Sequence, residues 1–150
     1  QARPARSLRP PGLAGHVTER AAPSRRLRVL NAAASGAIIA VPVALVNVVL
    51  AAQDPKPTLA LNLTLLGLLA GFVLAGAVAG ATVDEERAKA GALAACITYV
   101  PVEVIGLLGR ADQGRPISAF QIVFVGFLAA LGGTAGARLG AARRARKDMS

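Results

Sequence analysis

The stretch TLALNLTLLGLLAGFVLAGAVAGATV, residues 58–83, decides the fold of this chain. It carries no charged residue, and it exceeds the roughly 20 apolar residues that a helix needs to cross a hydrocarbon core about 30 Å thick. In lipid, a single segment satisfies its backbone hydrogen bonds only as a helix. A barrel strand would be about 10 residues long and would alternate polar with apolar residues, which this stretch does not do. It therefore predicts a transmembrane helix.

Three more apolar blocks of similar length flank this one. The four blocks cover about residues 32–52, 58–83, 88–109 and 117–139. The connections between them are too short to return across a membrane, so consecutive helices are expected to be antiparallel. The sequence thus predicts an all-α membrane protein whose residues 31–140 form a bundle of four transmembrane helices, up-down-up-down, in a lipid bilayer.

The composition agrees with a membrane protein. Of the 150 residues, 54% are hydrophobic and only 3% are aromatic, and the mean hydropathy is +0.54. Such values are typical of integral membrane proteins. Arginine (14 residues) greatly exceeds lysine (3 residues), and alanine and glycine are abundant. This bias is typical of GC-rich genomes and favours a bacterial source.

Basic residues dominate both ends of the chain, whose formal net charge is +9. Residues 1–30 contain seven arginines and no apolar period, which predicts a disordered basic tail. Residues 141–150 form a second basic tail. Since cytoplasmic segments carry the excess of Lys and Arg, both ends are predicted to be cytoplasmic in a plasma or inner membrane. The alternative is that the first block is a secretory signal cleaved near Ala51 or Ala52.

The basic tails also suggest partners. Lys and Arg near a membrane surface attract anionic lipid headgroups, so such headgroups are candidate partners, although the tails would also serve as topology determinants without any partner. Nucleic acid is not expected, because the tails lack aromatic residues on which bases stack.

The sequence contains signs of an internal repeat. Shifting the chain by 59 residues aligns Val41-Pro42-Val43 with Val100-Pro101-Val102, and gives nine identities over the 31 positions 41–71. The shift also aligns Pro57 with Pro116. We interpret the match as duplication of a helical hairpin, in which the two copies are parallel and are related by an axis along the membrane normal.

Glu103 is the outstanding polar residue, because an ionisable side chain at membrane depth is expensive and needs a reason to be there. Tyr99 lies one turn before it on the same helical face. Pro101, between them, removes a backbone donor, so a helix kink is predicted there and at the equivalent Pro42.

Each of the other three blocks also carries an amide at the depth of Glu103, four to six residues inside the predicted outer ends, or about 6 to 9 Å. These amides are Asn47, Asn62 and Gln121. One hypothesis is an intramembrane polar site of Glu103, Tyr99 and the amides that handles a proton or a cation. The alternative is that Glu103 reaches toward the outer surface to meet Arg110 or Arg115, while the amides join helices.

Glycines spaced by four residues form stripes along the second and fourth blocks, where they let helix backbones approach closely. They are predicted to pack helices inside the bundle, with contacts between subunits as the alternative. The helix-packing residues are Gly67, Gly71, Gly76, Gly80, Gly132, Gly136 and Gly140. Asp84, at the start of the acidic run of residues 84–86, is predicted to cap the third helix.

The sequence does not predict an enzyme, a metal site or a cofactor. The apolar blocks contain no His, and therefore no catalytic combination of the Ser/His/Asp or Cys/His type. Cys96 is the only cysteine, so it has no second cysteine for a metal site. The favoured hypothesis is a non-catalytic packing or accessory component of the membrane, in a homo-oligomer or a larger membrane complex. The alternative is a compact proton- or cation-coupled transporter or channel that uses Glu103.

Overall fold

The computed structural model describes residues 23–53 and 59–150, and within these ranges the chain forms four helices. Most of the predicted N-terminal tail, residues 1–22, lies outside the described residues. The helices are α1 (Arg25–Gln53), α2 (Leu59–Thr82), α3 (Arg87–Asp112) and α4 (Ala119–Lys147). Each contains an 18-residue window of mean hydropathy between 1.7 and 2.2, so each is long and apolar enough to cross a membrane. The predicted all-α fold of four membrane-spanning helices is confirmed.

The first and last helices extend past the predicted blocks. α1 begins at Arg25, so residues 25–30, which were assigned to the disordered tail, are helical. α4 continues to Lys147, well beyond the apolar block that ends near residue 139. Apolarity marks where the hydrocarbon ends and does not mark where backbone hydrogen bonding ends. Arg and Lys are good helix formers, and cations in a last turn favour the helix dipole.

Helices α2 and α3 occupy the middle of the bundle, where each packs against the other three helices. Among the described residues, α1 and α4 lie at opposite corners and do not pack against each other. The first turn of α1, the last turn of α2 and the last turn of α4 meet at one end, where Arg28 and Arg144 donate hydrogen bonds to the Thr82 and Ala81 carbonyls. The predicted up-down-up-down order therefore holds.

The helix bounds are compatible with the predicted repeat, since a shift of 59 residues places Gln53, the last residue of α1, on Asp112, the last residue of α3. The two hairpins are not packed symmetrically, however. A twofold axis relating them would exchange α1 with α3 and α2 with α4, so a contact between α2 and α3 would be matched by one between α4 and α1. In the described part of the chain, α2 contacts α3 but α1 does not contact α4. The duplication stays a prediction.

Backbone-to-backbone contact between α2 and α4 forms the centre of the packing. A Cβ atom added at Gly76 or Gly80 would fall on the carbonyl groups of Gly133 and Ala137, far inside van der Waals contact. The seven glycines of the predicted stripes each lie against a neighbouring helix of the same chain: Gly67, Gly71, Gly76, Gly80, Gly132, Gly136 and Gly140. Within this chain, these glycines therefore lie at contacts between helices.

Pro42 and Pro101 both lie inside helices, and α1 and α3 continue through them. The kinks expected at these positions stay predictions.

Candidate functional site

Glu103 lies on α3 with only 12% of its side chain exposed. One carboxylate oxygen, Oε2, is 2.8 Å from the Tyr99 hydroxyl, one helical turn earlier. The other, Oε1, is 3.5 Å from a guanidinium nitrogen of Arg110, whose side chain is 22% exposed. Both oxygens of this intramembrane carboxylate thus have partners on their own helix.

Tyr99 connects this carboxylate to the neighbouring helices. Its hydroxyl lies 2.7 Å from the carbonyl oxygen of Ile122 on α4. Its ring meets the ring of Phe72 on α2 edge to face, with centroids 6.3 Å apart. The ring also packs against Gly126, where an added Cβ would lie 3.3 Å from a ring carbon. Tyr99 is therefore held between three helices.

The hydrogen bonds of Tyr99 define what the cluster can do with a proton. The hydroxyl has one proton and two acceptors within reach, the Glu103 carboxylate and the Ile122 carbonyl. If Glu103 is protonated, it donates to the Tyr99 oxygen and Tyr99 donates to Ile122, so every group is satisfied. If Glu103 is ionised, Arg110 supplies the compensating charge. The arrangement provides partners for both protonation states.

Arg110 is one of the two cations named as alternative partners of Glu103 in the sequence, and it is the one that lies beside the carboxylate. It lies in the last turn of α3, seven residues after Glu103. Arg115, the other cation considered, instead donates to the Ala51 carbonyl at 3.1 Å, which fastens the connection between α3 and α4 to the end of α1.

The three amides predicted at the depth of Glu103 do not join it. The Asn47 amide donates a hydrogen bond to the Thr64 hydroxyl, which ties α1 to α2. The side chains of Asn62 and Gln121 are exposed. Counting residues from the ends of the blocks fixes depth but not the direction in which a side chain points. The polar site therefore consists of Tyr99, Glu103 and Arg110.

Thr98 is a buried polar residue that the sequence analysis missed. It is 1% exposed, and its hydroxyl lies 2.9 Å from the Ala33 carbonyl on α1 and 3.0 Å from the Ala94 carbonyl on α3. The signal that would have found it is its position on the small-residue face of α3, four residues after Ala94.

The acidic run at the α2–α3 connection does not act as predicted. The N-cap of α3 is Glu86, in a left-handed backbone conformation (φ 48°) and without a side-chain capping bond. Asp84 instead binds Arg144 of α4 at 2.8 Å and lies 3.9 Å from Arg28 of α1. The capping prediction for Asp84 is wrong, because arginines from other helices bind this carboxylate.

Glu86 takes part in a second group of ion pairs at this end, with Arg25 at 3.0 Å and with Lys89. The hydrogen bond from Lys89, and to a smaller extent the one from Arg25, holds the pKa of Glu86 below its ordinary value. These contacts join α1 to the start of α3.

Comparison with known proteins found no matching family model, no matching curated protein and no matching solved structure. Within residues 23–53 and 59–150, no group of three or more His, Cys, Asp or Glu side chains is placed to hold a metal ion.

Proposed function

We propose that this chain is a non-catalytic, multi-pass component of the bacterial plasma membrane that acts by packing, with copies of itself or within a larger membrane complex. The observation that carries the proposal is the backbone contact between α2 and α4 at Gly76, Gly80 and Gly136. Helices in such contact form a rigid unit and leave little space for a pathway between them.

The outer surface of α4 supports a packing role. Three of the four phenylalanines of the chain are exposed on this helix, and Phe120 and Phe124 stack with centroids 5.9 Å apart. Phe127 continues the same surface at 59% exposure. This aromatic face is available to lipid or to a neighbouring membrane helix, while the rigid core holds it in place.

We further propose that both ends of the chain are cytoplasmic and that their cations attract anionic lipid headgroups. The test uses a Cys96→Ala background with single cysteines introduced as Ser150→Cys or Gln113→Cys. A membrane-impermeant maleimide added to intact cells should label Gln113→Cys and should label Ser150→Cys only after the cells are broken. The reverse pattern would overturn the orientation.

A second candidate function is proton coupling at Glu103, and the observation that favours it is the shared hydroxyl proton of Tyr99. In this function, Glu103 would accept and release a proton while Tyr99 and Arg110 alternate as its main partners. Full-chain proteoliposomes with an internal pH-sensitive dye would then show a proton flux. Glu103→Gln should abolish the flux, and Glu85→Gln, in the exposed connection, should leave it unchanged.

Complementation distinguishes the two functions in a deletion strain of the source organism. If the protein acts by packing, Gly136→Leu should fail to restore the wild-type phenotype although it inserts, and Glu103→Gln should restore it. If Glu103 couples transport, Glu103→Gln should fail although it folds. Restoration by both variants would contradict both functions.

A further inference from the structure

A groove runs between α2 and α4 at the end of the bundle where the α2–α3 connection lies. Its volume is about 490 Å³. The floor is apolar and consists of Leu74, Ala77, Val78, Ala81 and Gly140. The rim is cationic and consists of Arg143, Arg144 and Lys147. An apolar channel that ends in a cluster of cations matches the shape and polarity of one phospholipid.

Helical spacing explains why the cations line this groove. Gly140 packs against the Ala77 backbone, which fixes the face of α4 that is turned toward α2. Arg143, Arg144 and Lys147 follow Gly140 by three, four and seven residues, so they continue that face beyond the end of α2. The exposed cations Arg138 and Arg146 do not line the groove.

The charges on the rim are only partly compensated. Arg144 binds Asp84 at 2.8 Å and donates to the Ala81 carbonyl at 3.1 Å. Arg143 and Lys147 form no ion pair with any residue that the structure describes. No acidic residue lines the groove. The rim therefore offers two unpaired positive charges directly above an apolar floor.

A second groove at the same end, between α1 and α3, provides a contrast. It has a volume of about 560 Å³ and also combines apolar residues with three cations, Arg25, Arg26 and Lys89. Here Glu86 is part of the lining and binds both Arg25 and Lys89. Among the described residues, Arg26 is the one cation of this groove without an ion pair, whereas the α2/α4 groove has two, Arg143 and Lys147, and no acidic residue in its lining.

We propose that the α2/α4 groove is a binding site for an anionic phospholipid of the surrounding leaflet. One acyl chain covers the floor beside Leu74 and Val78, and the phosphate and its anionic headgroup lie on Arg143 and Lys147. In a bilayer, the acyl chain of any lipid can cover the apolar floor of the groove. The charge of the headgroup therefore determines which lipid binds preferentially. This inference rests on the proposed membrane placement, but not on the packing function or on Glu103.

The test is native mass spectrometry of the full chain in detergent, titrated with phosphatidylglycerol or with phosphatidylcholine. The double variant Arg143→Gln/Lys147→Gln removes the unpaired charges of the rim. The matched control Arg138→Gln/Arg146→Gln makes the same change in net charge on the same helix, away from the groove. Ala81→Leu keeps the charges and fills the floor. Circular dichroism checks that each variant is folded.

We expect the wild-type chain to retain one phosphatidylglycerol in preference to phosphatidylcholine. Because Arg143 and Lys147 line the groove and Arg138 and Arg146 do not, the rim variant should bind phosphatidylglycerol about tenfold more weakly and the control less than about twofold. Ala81→Leu should also weaken binding. Excess glycerol phosphate should not displace the lipid.

Three results would overturn the proposal. Equal losses in the rim variant and in the control would show attraction by net charge without a site. A wild-type chain without preference for phosphatidylglycerol would show that the groove does not select charge. Displacement by glycerol phosphate would show a site for free anions. Each of these outcomes is independent of the complementation result, so failure of the lipid site and failure of the packing function are separately visible.

Discussion

The two halves of the bundle are held together by different means. In the half near the α2–α3 connection the core consists almost wholly of alanine and valine, and glycine lets the α2 and α4 backbones touch. In the opposite half the buried core also contains alanines, but Phe72 is buried among them and the larger side chains of Leu68, Tyr99 and Ile105 pack against it. The polar contacts within the membrane-spanning part also differ, since the Asn47–Thr64 bond and the Glu103 cluster both lie in the second half.

This difference shows how backbone separation governs polarity inside a membrane bundle. Where helices approach until glycine meets a carbonyl group, not even a methyl group fits between the two backbones, and a buried ionisable group has no room. Where side chains separate the helices, a tyrosine ring fits, and its hydroxyl can form a hydrogen bond with a carboxylate. Glu103 thus lies in the half of the bundle where larger side chains pack against the core.

Of the variants that test this difference between the two halves, Gly80→Ala is expected to have the largest effect. The added methyl group would fall on the Ala137 carbonyl, and both partners are rigid helix backbone, so the free energy of unfolding should fall by about 3 kcal/mol. The matched control is Gly106→Ala in the opposite half, where the nearest atom, Arg110 Nη2, is 3.9 Å away. Unfolding in mixed micelles by added sodium dodecyl sulfate measures both variants, and equal losses would contradict the distinction.

A smaller effect is expected from Tyr99→Phe, which tests the polar contacts in the half that contains Glu103. The variant keeps the ring packed against Phe72 but removes the hydroxyl that lies between Glu103 and the Ile122 carbonyl. The free energy of unfolding should fall by about 1.5 kcal/mol. A double-mutant cycle with Glu103→Gln in the same micelle titration should give a coupling free energy near 1 kcal/mol. Additive losses would show that the two side chains act independently.

Thr98→Val tests a bond at the boundary between the two halves, with an expected loss of about 0.6 kcal/mol, the average for hydrogen bonds between membrane helices. The hydroxyl of Thr98 reaches the Ala33 carbonyl on another helix. Thr134→Val is the control, since its hydroxyl bonds only to the Leu131 carbonyl of its own helix. The same titration should show a loss for Thr98→Val and none for Thr134→Val.

The smallest effect is expected at the charged end, from Glu86→Gln. Because Lys89 and Arg25 lower the pKa of Glu86 below its ordinary value of 4.5 in the folded chain, its ion pairs stabilise the fold above that value. The stabilisation is lost as the pH falls through the lowered pKa. The thermal midpoint of the wild type should therefore exceed that of Glu86→Gln slightly at pH 7. The difference should vanish well below pH 4.5 and in 1 M salt. Glu85→Gln, in the same connection, should match the wild type throughout.

The fold could be predicted from the sequence because membrane crossing depends on local properties. Four apolar blocks with short connections leave few alternatives, and the glycine spacing marked α2 and α4 as helices that allow close approach without indicating that they approach each other. The ends of α1 and α4 were misplaced because helices continue beyond the hydrocarbon. The pairing of Asp84 with Arg28 and Arg144 depends on residues distant in sequence, and no local pattern indicates it.

The candidate site was only partly predictable for the same reason. The one-turn spacing of Tyr99 and Glu103 is a local property, and the structure brings these residues together. The amides of Asn62 and Gln121 were assigned to the site from their depth alone, but both side chains lie on the exposed faces of their helices. The rotation of a helix is set by its neighbours, so only the packed structure reveals it.

The composition of the chain makes the Glu103 cluster its own spectroscopic reporter. Tyr99 is the only tyrosine, and the chain contains no tryptophan. The tyrosine emission and the near-ultraviolet tyrosine absorbance of the unlabelled protein therefore arise from one ring, whose hydroxyl touches the intramembrane carboxylate. A change in the protonation of Glu103 alters that hydrogen bond, so it should be visible as a change in tyrosine emission without any introduced dye.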